Sequence, residues 1–460
     1  MKGCLMTYCR QYMSRLISIF ILLGIAAAIT PALYAAQTIS ADNPAFHYAG
    51  RVDDTDPSNV HLSWPATRIE IQFSGSELEI LLSEQSDVNK YNILIDGQVI
   101  ETITTQSGTD RHQISGSLSS GNHSLTIFKI TESAESHSTF SGIVIADGAS
   151  VAAVQKNPSR KIEFIGDSHT AGFALGGDWG LDDASKSYAV PASEDLNAEY
   201  RLIAISGMGI VRNYGEDGAT SDATIPDYFM RTSVNEPFPQ WDFSEWKPDI
   251  VVVNAGVNDF AEINDPGATV ASDQNFTDGY RDFLTTIRTA YPGVQLVLVS
   301  PYDRCGSGTH AKEVIDAVYD AEVNSGFTDV HSFTYPNYHR DKFEVCHPSV
   351  SYNAEIAEAL VAVINSIEVN VRYPYRVAGG YEAMFSSRLD RSRNTLILAD
   401  ANTGIRSLEL VRGDGSIVRS WHDVRPSQAL TIPSPATGTY FCRYELSNGY
   451  NGVSVIAAVR

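Results

Sequence analysis

The sequence predicts a multidomain chain with an amino-terminal β jelly roll, a central parallel α/β domain and a small carboxyl-terminal β-sandwich. Three changes of texture carry this reading. Between 46 and 146, short runs alternate apolar and polar residues; from 161, compact apolar runs alternate with stretches of helical spacing; after 378, period-two runs return.

In the first region the runs 68–73, 78–82, 91–95 and 124–128 are broken by Ser74-Gly75, Asp96-Gly97 and Gly121-Asn122, residue pairs that turn a chain. Strands at that spacing, with no competing helical period, build a sandwich or jelly roll. In the second region, apolar runs at 161–165, 201–205, 250–253, 295–300 and 329–333 suit strands buried on both faces, while 278–291, 310–325 and 352–367 carry the helical period. Five such strands separated by helices make a doubly wound parallel sheet. A linker at 373–380 leads to strands at 394–399, 407–411, 416–421, 429–432, 439–445 and 452–459, with a turn at Gly413-Asp-Gly415. The domains are accordingly placed at 37–150, 158–370 and 378–460, after a leader at 1–36.

That leader has the form of an export signal. Lys2, Arg10 and Arg15 precede an apolar run from Leu16 to Ile29, and small residues follow at Ala35 and Ala36, so cleavage is expected before Gln37. A single membrane anchor is the alternative, which Pro31 and the small-residue exit disfavour. No later stretch is long and apolar enough to span a bilayer. The expected location is secreted, periplasmic or at the cell surface, with no membrane contact after cleavage.

A formal charge of −22 argues against nucleic acid and anionic lipid surfaces, since both need a positive face. Beyond the leader lie Cys305, Cys346 and Cys442, at no spacing that suggests zinc, and no metal is expected. An odd count leaves at least one thiol unpaired within a monomer. The residues give no reading of the oligomeric state.

Ligands of doubly wound sheets bind beyond the carboxyl ends of the strands. The first α/β strand runs into Gly166-Asp-Ser-His-Thr-Ala-Gly172, where a serine on a sharp strand-to-helix turn exposes its oxygen. Its own amide and the helix amino end face any negative charge forming there, although such triplets also cap helices routinely. The second strand ends in Ser206-Gly-Met-Gly209 and the third in Asn254-Ala-Gly-Val-Asn-Asp259. Amides of Ser168, Gly207 and Asn258 can converge there as an oxyanion hole, with Gly209 the alternative to Gly207. Singly, Gly207 reads as a turn residue and Asn258 as a cap; their placement after consecutive strands joins them.

A serine hydroxyl needs a base. His347 lies in Glu344-Val-Cys-His-Pro348, after the fifth strand and directly before the final helix, at the same sheet edge as Ser168. His169 adjoins the serine, but consecutive turn residues point apart, which makes it a bystander. Glu344 can orient the imidazole as the third member of a triad, or be a solvated loop acid.

The ordered set Gly-Asp-Ser-x-Thr-x-Gly, a post-strand glycine, Gly-x-Asn-Asp and a late His-Pro resembles the blocks of the SGNH, or GDSL-like, hydrolases. The resemblance implies a flavodoxin-like α/β domain with Ser168 as nucleophile, His347 as base, and Ser168, Gly207 and Asn258 as oxyanion donors. His47 to Asp53, Trp64-Pro65, the strand before Ser74-Gly75 and Ile95-Asp-Gly97 narrow it, being similar to the jelly roll joined to the esterase domain in carbohydrate esterase family 2; the match covers 43–368. That family implies deacetylation of acetylated xylan, glucomannan and related polymers or oligosaccharides, without cofactor. Some of its members orient the histidine with backbone carbonyls, and the usual pattern has Asp where this chain has Glu344. Because strands four and five are neighbours in a flavodoxin-like order, a Cys305–Cys346 disulfide is expected to hold His347, with Cys442 a buried structural thiol.

A general carboxylesterase or lipase acting on short acyl esters would use the same residues. Sugar O-acetyl transfer needs an activated donor, for which no site is seen. A non-catalytic carbohydrate-binding protein on this scaffold would draw on Trp64, Trp241, Trp246 and Tyr302 as stacking surfaces, though each also suits a core. The carboxyl-terminal sandwich carries no motif that speaks to chemistry.

Overall fold

The computed structural model describes residues 36–367, apart from 85–88, 115–117, 133–136, 177–181, 236–238, 262–268, 303–307 and 345, together with seven strands between 386 and 459. The expected leader at 1–36, except Ala36, and the linker at 373–380 lie outside the described residues. Among those described, no helix is long and apolar enough to cross a membrane.

Two six-stranded antiparallel sheets form the amino-terminal sandwich. One orders Val52–Asp53, Val60–Leu62, Ser138–Ala146, Leu78–Glu84 and Arg111–Gln113, with Ala36–Ser40 also on Ser138–Ala146. The other orders Val151–Ala152, Arg68–Ser74, Asn122–Lys129, Lys90–Ile95 and Gln98–Thr104, with His47–Ala49 also on Arg68–Ser74. Alternation sets the core: Leu78, Ile80 and Leu82 are buried with Ile71, Phe73, Leu125, Ile127 and Phe140. Asp96 and Gly97, with φ of 52° and 79°, form the two-residue turn that joins Ile95 to its register partner Gln98.

The central sheet is parallel and contains β1 (Arg160–Gly166), β2 (Ala198–Ala204), β3 (Ile250–Asn254), β4 (Gln295–Ser300) and β5 (Val330–Thr334), in the order β2-β1-β3-β4-β5. Val251 and Val253 face one core with Leu296 and Leu298, while Ile250 and Val252 face the other with Val297 and Val299. This two-sided burial is why these strands read as unbroken apolar runs. The main covering helices are α1 (Ser168–Ala171), α2 (Ala189–Asp195), α3 (Ile225–Phe229), α4 (Asp273–Ala290), α5 (Gly308–Asn324) and α6 (Val350–Ser366).

The sandwich and the parallel sheet share a buried joint. Arg51 Nη2 meets Glu163 Oε1 at 3.0 Å with neither side chain exposed, and the guanidinium lies over the rings of Phe229, Trp241 and Phe243. Trp64 is fully buried there and donates from Nε1 to the Thr232 carbonyl at 2.7 Å. Trp241 and Trp246 are buried as well, so these three indoles are core rather than sugar platforms. Tyr302 instead stacks at 4.4 Å on the exposed Tyr338.

The carboxyl-terminal strands form two antiparallel sheets. Thr395–Ala399 lies between Ser386–Asp390 and Ala429–Thr431, while Ile417–Val424, Ile405–Arg412, Gly438–Leu446 and Asn451–Val459 follow one another in the second. Ser386–Asp390 was not anticipated, because Ser-Ser-Arg-Leu-Asp holds one apolar residue and no alternation. Cys442 opposes Ser454 in register; its expected burial lies outside the described side chains.

Candidate active site

β1 delivers Ser168 to the sheet edge through a turn that only glycine fits. A Cβ on Gly166 would stand 2.6 Å from the Asn254 carbonyl and 2.3 Å from Thr170 Oγ1. Asp167 caps α1, its carboxylate accepting the His169 amide at 3.0 Å. Ser168 is 7% exposed, and among the described residues its amide donates to no partner.

His347 arrives from the opposite side on a short antiparallel ladder, β6 (Phe343–Glu344) with β7 (His347–Pro348). Its Nε2 is hydrogen-bonded to Ser168 Oγ at 2.8 Å, although the two residues are 179 positions apart. Cys346, immediately before it, is disulfide-bonded and has a φ of 72°; the expected partner, Cys305, lies outside the described residues. The first turn of α6 secures the far side, with Asn353 Nδ2 donating to the carbonyls of Pro348 and Ser349 at 2.9 and 3.1 Å.

Glu344 is the register partner of His347 but is exposed. Among the described residues no hydrogen bond or ion pair joins its carboxylate to the imidazole. His169, by contrast, packs against the pair rather than pointing away from it. Its ring is buried 5.3 Å from that of His347, edge to face, and its Nδ1 is hydrogen-bonded to the Tyr335 hydroxyl at 3.1 Å. Burial, and then the neighbouring His347, hold its imidazole well below the ordinary histidine range. Tyr335 also accepts from Asn254 Nδ2 at 2.9 Å, tying the ends of β3 and β5 beneath the pair.

The donors beyond β2 and β3 are sorted by their existing bonds. Gly209 N–H is occupied by Asn213 Oδ1 at 3.2 Å. Gly207, at φ 79°, accepts from Tyr214 N–H at 2.7 Å through its carbonyl, while its own N–H has no partner among the described residues. Asn258 Nδ2 donates one hydrogen to the Met208 carbonyl at 2.8 Å, and the other has no partner among the described residues.

Sequence reasoning did not find what holds these donors in place. The Asp259 carboxylate accepts the amides of Ile210, Val211 and Arg212 at 2.9, 2.7 and 3.0 Å. Burial pushes its pKa up to about 6 against those three N–H groups. The buried Arg212 guanidinium donates back to the carbonyls of Asn258 and Ala261 at 3.1 and 3.2 Å, locking the post-β2 loop to the post-β3 loop. The adjacency of Asn258 and Asp259 was the available signal.

Two family models match in tandem: "Carbohydrate esterase 2 N-terminal" over residues 48–154 and "GDSL-like Lipase/Acylhydrolase family" over residues 164–334. Across both regions the chain is similar to the family 2 carbohydrate esterases. Among its relatives, Cellulase/esterase CelE of Acetivibrio thermocellus is 28% identical over 342 residues, 72% of this chain and 40% of CelE's own length. An acetylxylan esterase / glucomannan deacetylase of Cellvibrio japonicus is 29% identical over 255 residues, 52% of this chain and 68% of that protein. The solved family two carbohydrate esterase from Clostridium thermocellum, in complex with cellohexaose, superposes with a TM-score of 0.62 at 26% identity, covering 70% of this chain and 98% of that one. The matched regions include Arg51 of the buried joint and Ser168 of the pair, while Glu163, His347 and the carboxyl-terminal strands lie outside them.

Proposed function

We propose that the chain is an exported serine esterase removing O-acetyl groups from plant-type polysaccharides or oligosaccharides such as xylan and glucomannan. The observation that carries this reading is the 2.8 Å contact of His347 Nε2 with Ser168 Oγ beside open donors on Ser168, Gly207 and Asn258. The names of the relatives and the leader at 1–36 support the substrate class and the export.

In this mechanism His347 takes the Ser168 proton as Oγ bonds to the acetyl carbonyl carbon, and the three donors receive the oxyanion. The imidazolium then protonates the departing sugar oxygen as its bond to the carbonyl carbon breaks, leaving acetyl-Ser168. Water, giving its proton to His347, attacks the acetyl-enzyme; acetate leaves and the serine recovers its proton. The exposed Glu344 has no part in this relay.

Ser168→Ala should abolish acetate release from acetylated xylan and glucomannan while leaving the fold intact, and retained release would remove the mechanism. A series of acetyl to longer acyl esters of one chromogenic alcohol separates a deacetylase from a general carboxylesterase. Amino-terminal sequencing of protein from the culture medium tests cleavage before Gln37.

A further inference from the structure

The parallel ladder between β1 and β2 ends with Ile205 N–H donating to the Gly166 carbonyl at 3.2 Å. The next amide, Ser206 N–H, is taken by Glu132 Oε2 at 2.7 Å. Glu132 belongs to the other domain, just past the sandwich strand Asn122–Lys129. The segment that carries it is itself anchored: Ile130 N–H donates to the Lys90 carbonyl at 2.9 Å, and the Ile130 carbonyl accepts from Ala184 N–H at 2.8 Å.

This bond falls on the residue preceding Gly207. With Ser206 N–H drawn off the ladder by a carboxylate and the Gly207 carbonyl held by Tyr214 N–H, both flanks of the Ser206–Gly207 peptide are fixed. The Gly207 N–H, which has no partner among the described residues, is left to point elsewhere. Glycine at φ 79° lets the chain make that turn.

We infer that Glu132, supplied by the amino-terminal β-domain, is a positioning residue for the oxyanion hole: its carboxylate orients the Ser206–Gly207 peptide so that Gly207 N–H meets the transition state. The inference rests on the reading of Gly207 as an oxyanion donor. Burial pushes the Glu132 carboxyl up, against the Ser206 bond and Lys129, and Asp182 is a second buried acid beside it; protonated or ionised, Glu132 accepts the Ser206 N–H at Oε2.

The test compares Glu132→Gln, Glu132→Asp and Glu132→Ala in the full chain, with 4-nitrophenyl acetate turnover and fluorophosphonate labelling of Ser168 as readouts. A misplaced oxyanion donor acts on the transition state, so Glu132→Ala and the shorter Glu132→Asp should lower kcat by about tenfold or more, change KM by less than about twofold and slow labelling in proportion. Glu132→Gln, which keeps an acceptor at the same reach, should recover most of kcat. Should Glu132→Ala fail to fold by near-ultraviolet circular dichroism, the Asp and Gln variants decide. Wild-type kcat in the Asp variant, a loss confined to KM, or a loss that Gln does not recover would overturn the inference. Failure of the serine-esterase reading is distinguishable, because wild-type protein would then neither label at Ser168 nor lose turnover on Ser168→Ala.

Discussion

Asn258 gives one of its two amide hydrogens to the Met208 carbonyl, at 2.8 Å, and so holds the other in a fixed direction between the post-β2 and post-β3 loops. Removal of one such donor costs about 3 kcal/mol of transition-state stabilisation. Asn258→Ala should therefore lower kcat on 4-nitrophenyl acetate by roughly 100-fold, with little change in KM. Steady-state kinetics check this, and a loss carried by KM alone would remove Asn258 from the oxyanion hole.

Gly209, although its amide is already occupied, should tolerate substitution worse than Gly207. A Cβ at 209 would stand 2.0 Å from the Arg212 carbonyl and 2.6 Å from Asp259 Oδ2, forcing apart the contacts that hold the loop. At 207 the nearest atom is 3.9 Å away, and alanine meets only the penalty of φ 79°, on the order of 1–2 kcal/mol. Thermal unfolding of the two alanine variants should show the larger fall in Tm for Gly209→Ala.

Glu344 lies on the ladder that carries His347, yet its side chain is exposed. Surface changes of that kind shift free energies by only about 0.5 kcal/mol, so Glu344→Ala should keep kcat within about threefold of wild type. A hundredfold loss would restore the carboxylate to the relay.

His169 should make the fold sensitive to acid. Its folded pKa lies well below the unfolded value of 6.5, so below pH 6.5 the unfolded chain binds a proton that the native ring refuses. Its contribution to stability is complete above that pH and is lost as the pH falls. From pH 7.5 to 5.5 the loss is about 1.4 kcal/mol. Urea unfolding at the two pH values should show a loss of stability on acidification that is larger for wild type than for His169→Asn.

Cys346 combines a left-handed backbone with a disulfide immediately before His347. Bonds of this kind contribute about 2–4 kcal/mol, and here the restraint acts next to the base. Cys346→Ser should lower both Tm and kcat. Dithiothreitol should reproduce the loss in wild type and add nothing to the variant.

The five parallel strands were legible because burial on both faces leaves nearly unbroken apolar runs, and the sandwich because one face of each strand is wet. Ser168, Gly207, Asn258 and His347 could be singled out because each follows a strand of that sheet, where chain order already fixes which edge a residue reaches. Glu132, Arg212 and Asp259 could not. Their partners are backbone groups 74 and 46–49 positions away, and a main-chain amide or carbonyl leaves no mark in a side-chain pattern. Tyr335 and His169 were hidden for a related reason: an aromatic residue after a strand looks the same whether it fills a core or ties two strand ends together. Ser386–Asp390 escaped because Ser-Ser-Arg-Leu-Asp carries no apolar alternation.

The joint between Arg51 and Glu163 bears on how such a protein can be inherited or re-engineered. A gene fragment encoding only the hydrolase half would leave an acid stranded in the middle of its own first strand, and the reciprocal fragment would strand a cation. Exchange of parts between related genes is therefore expected to move the two halves as one cassette. The carboxyl-terminal strands lie outside that cassette, so a swap beyond residue 367 leaves the Arg51–Glu163 pair intact.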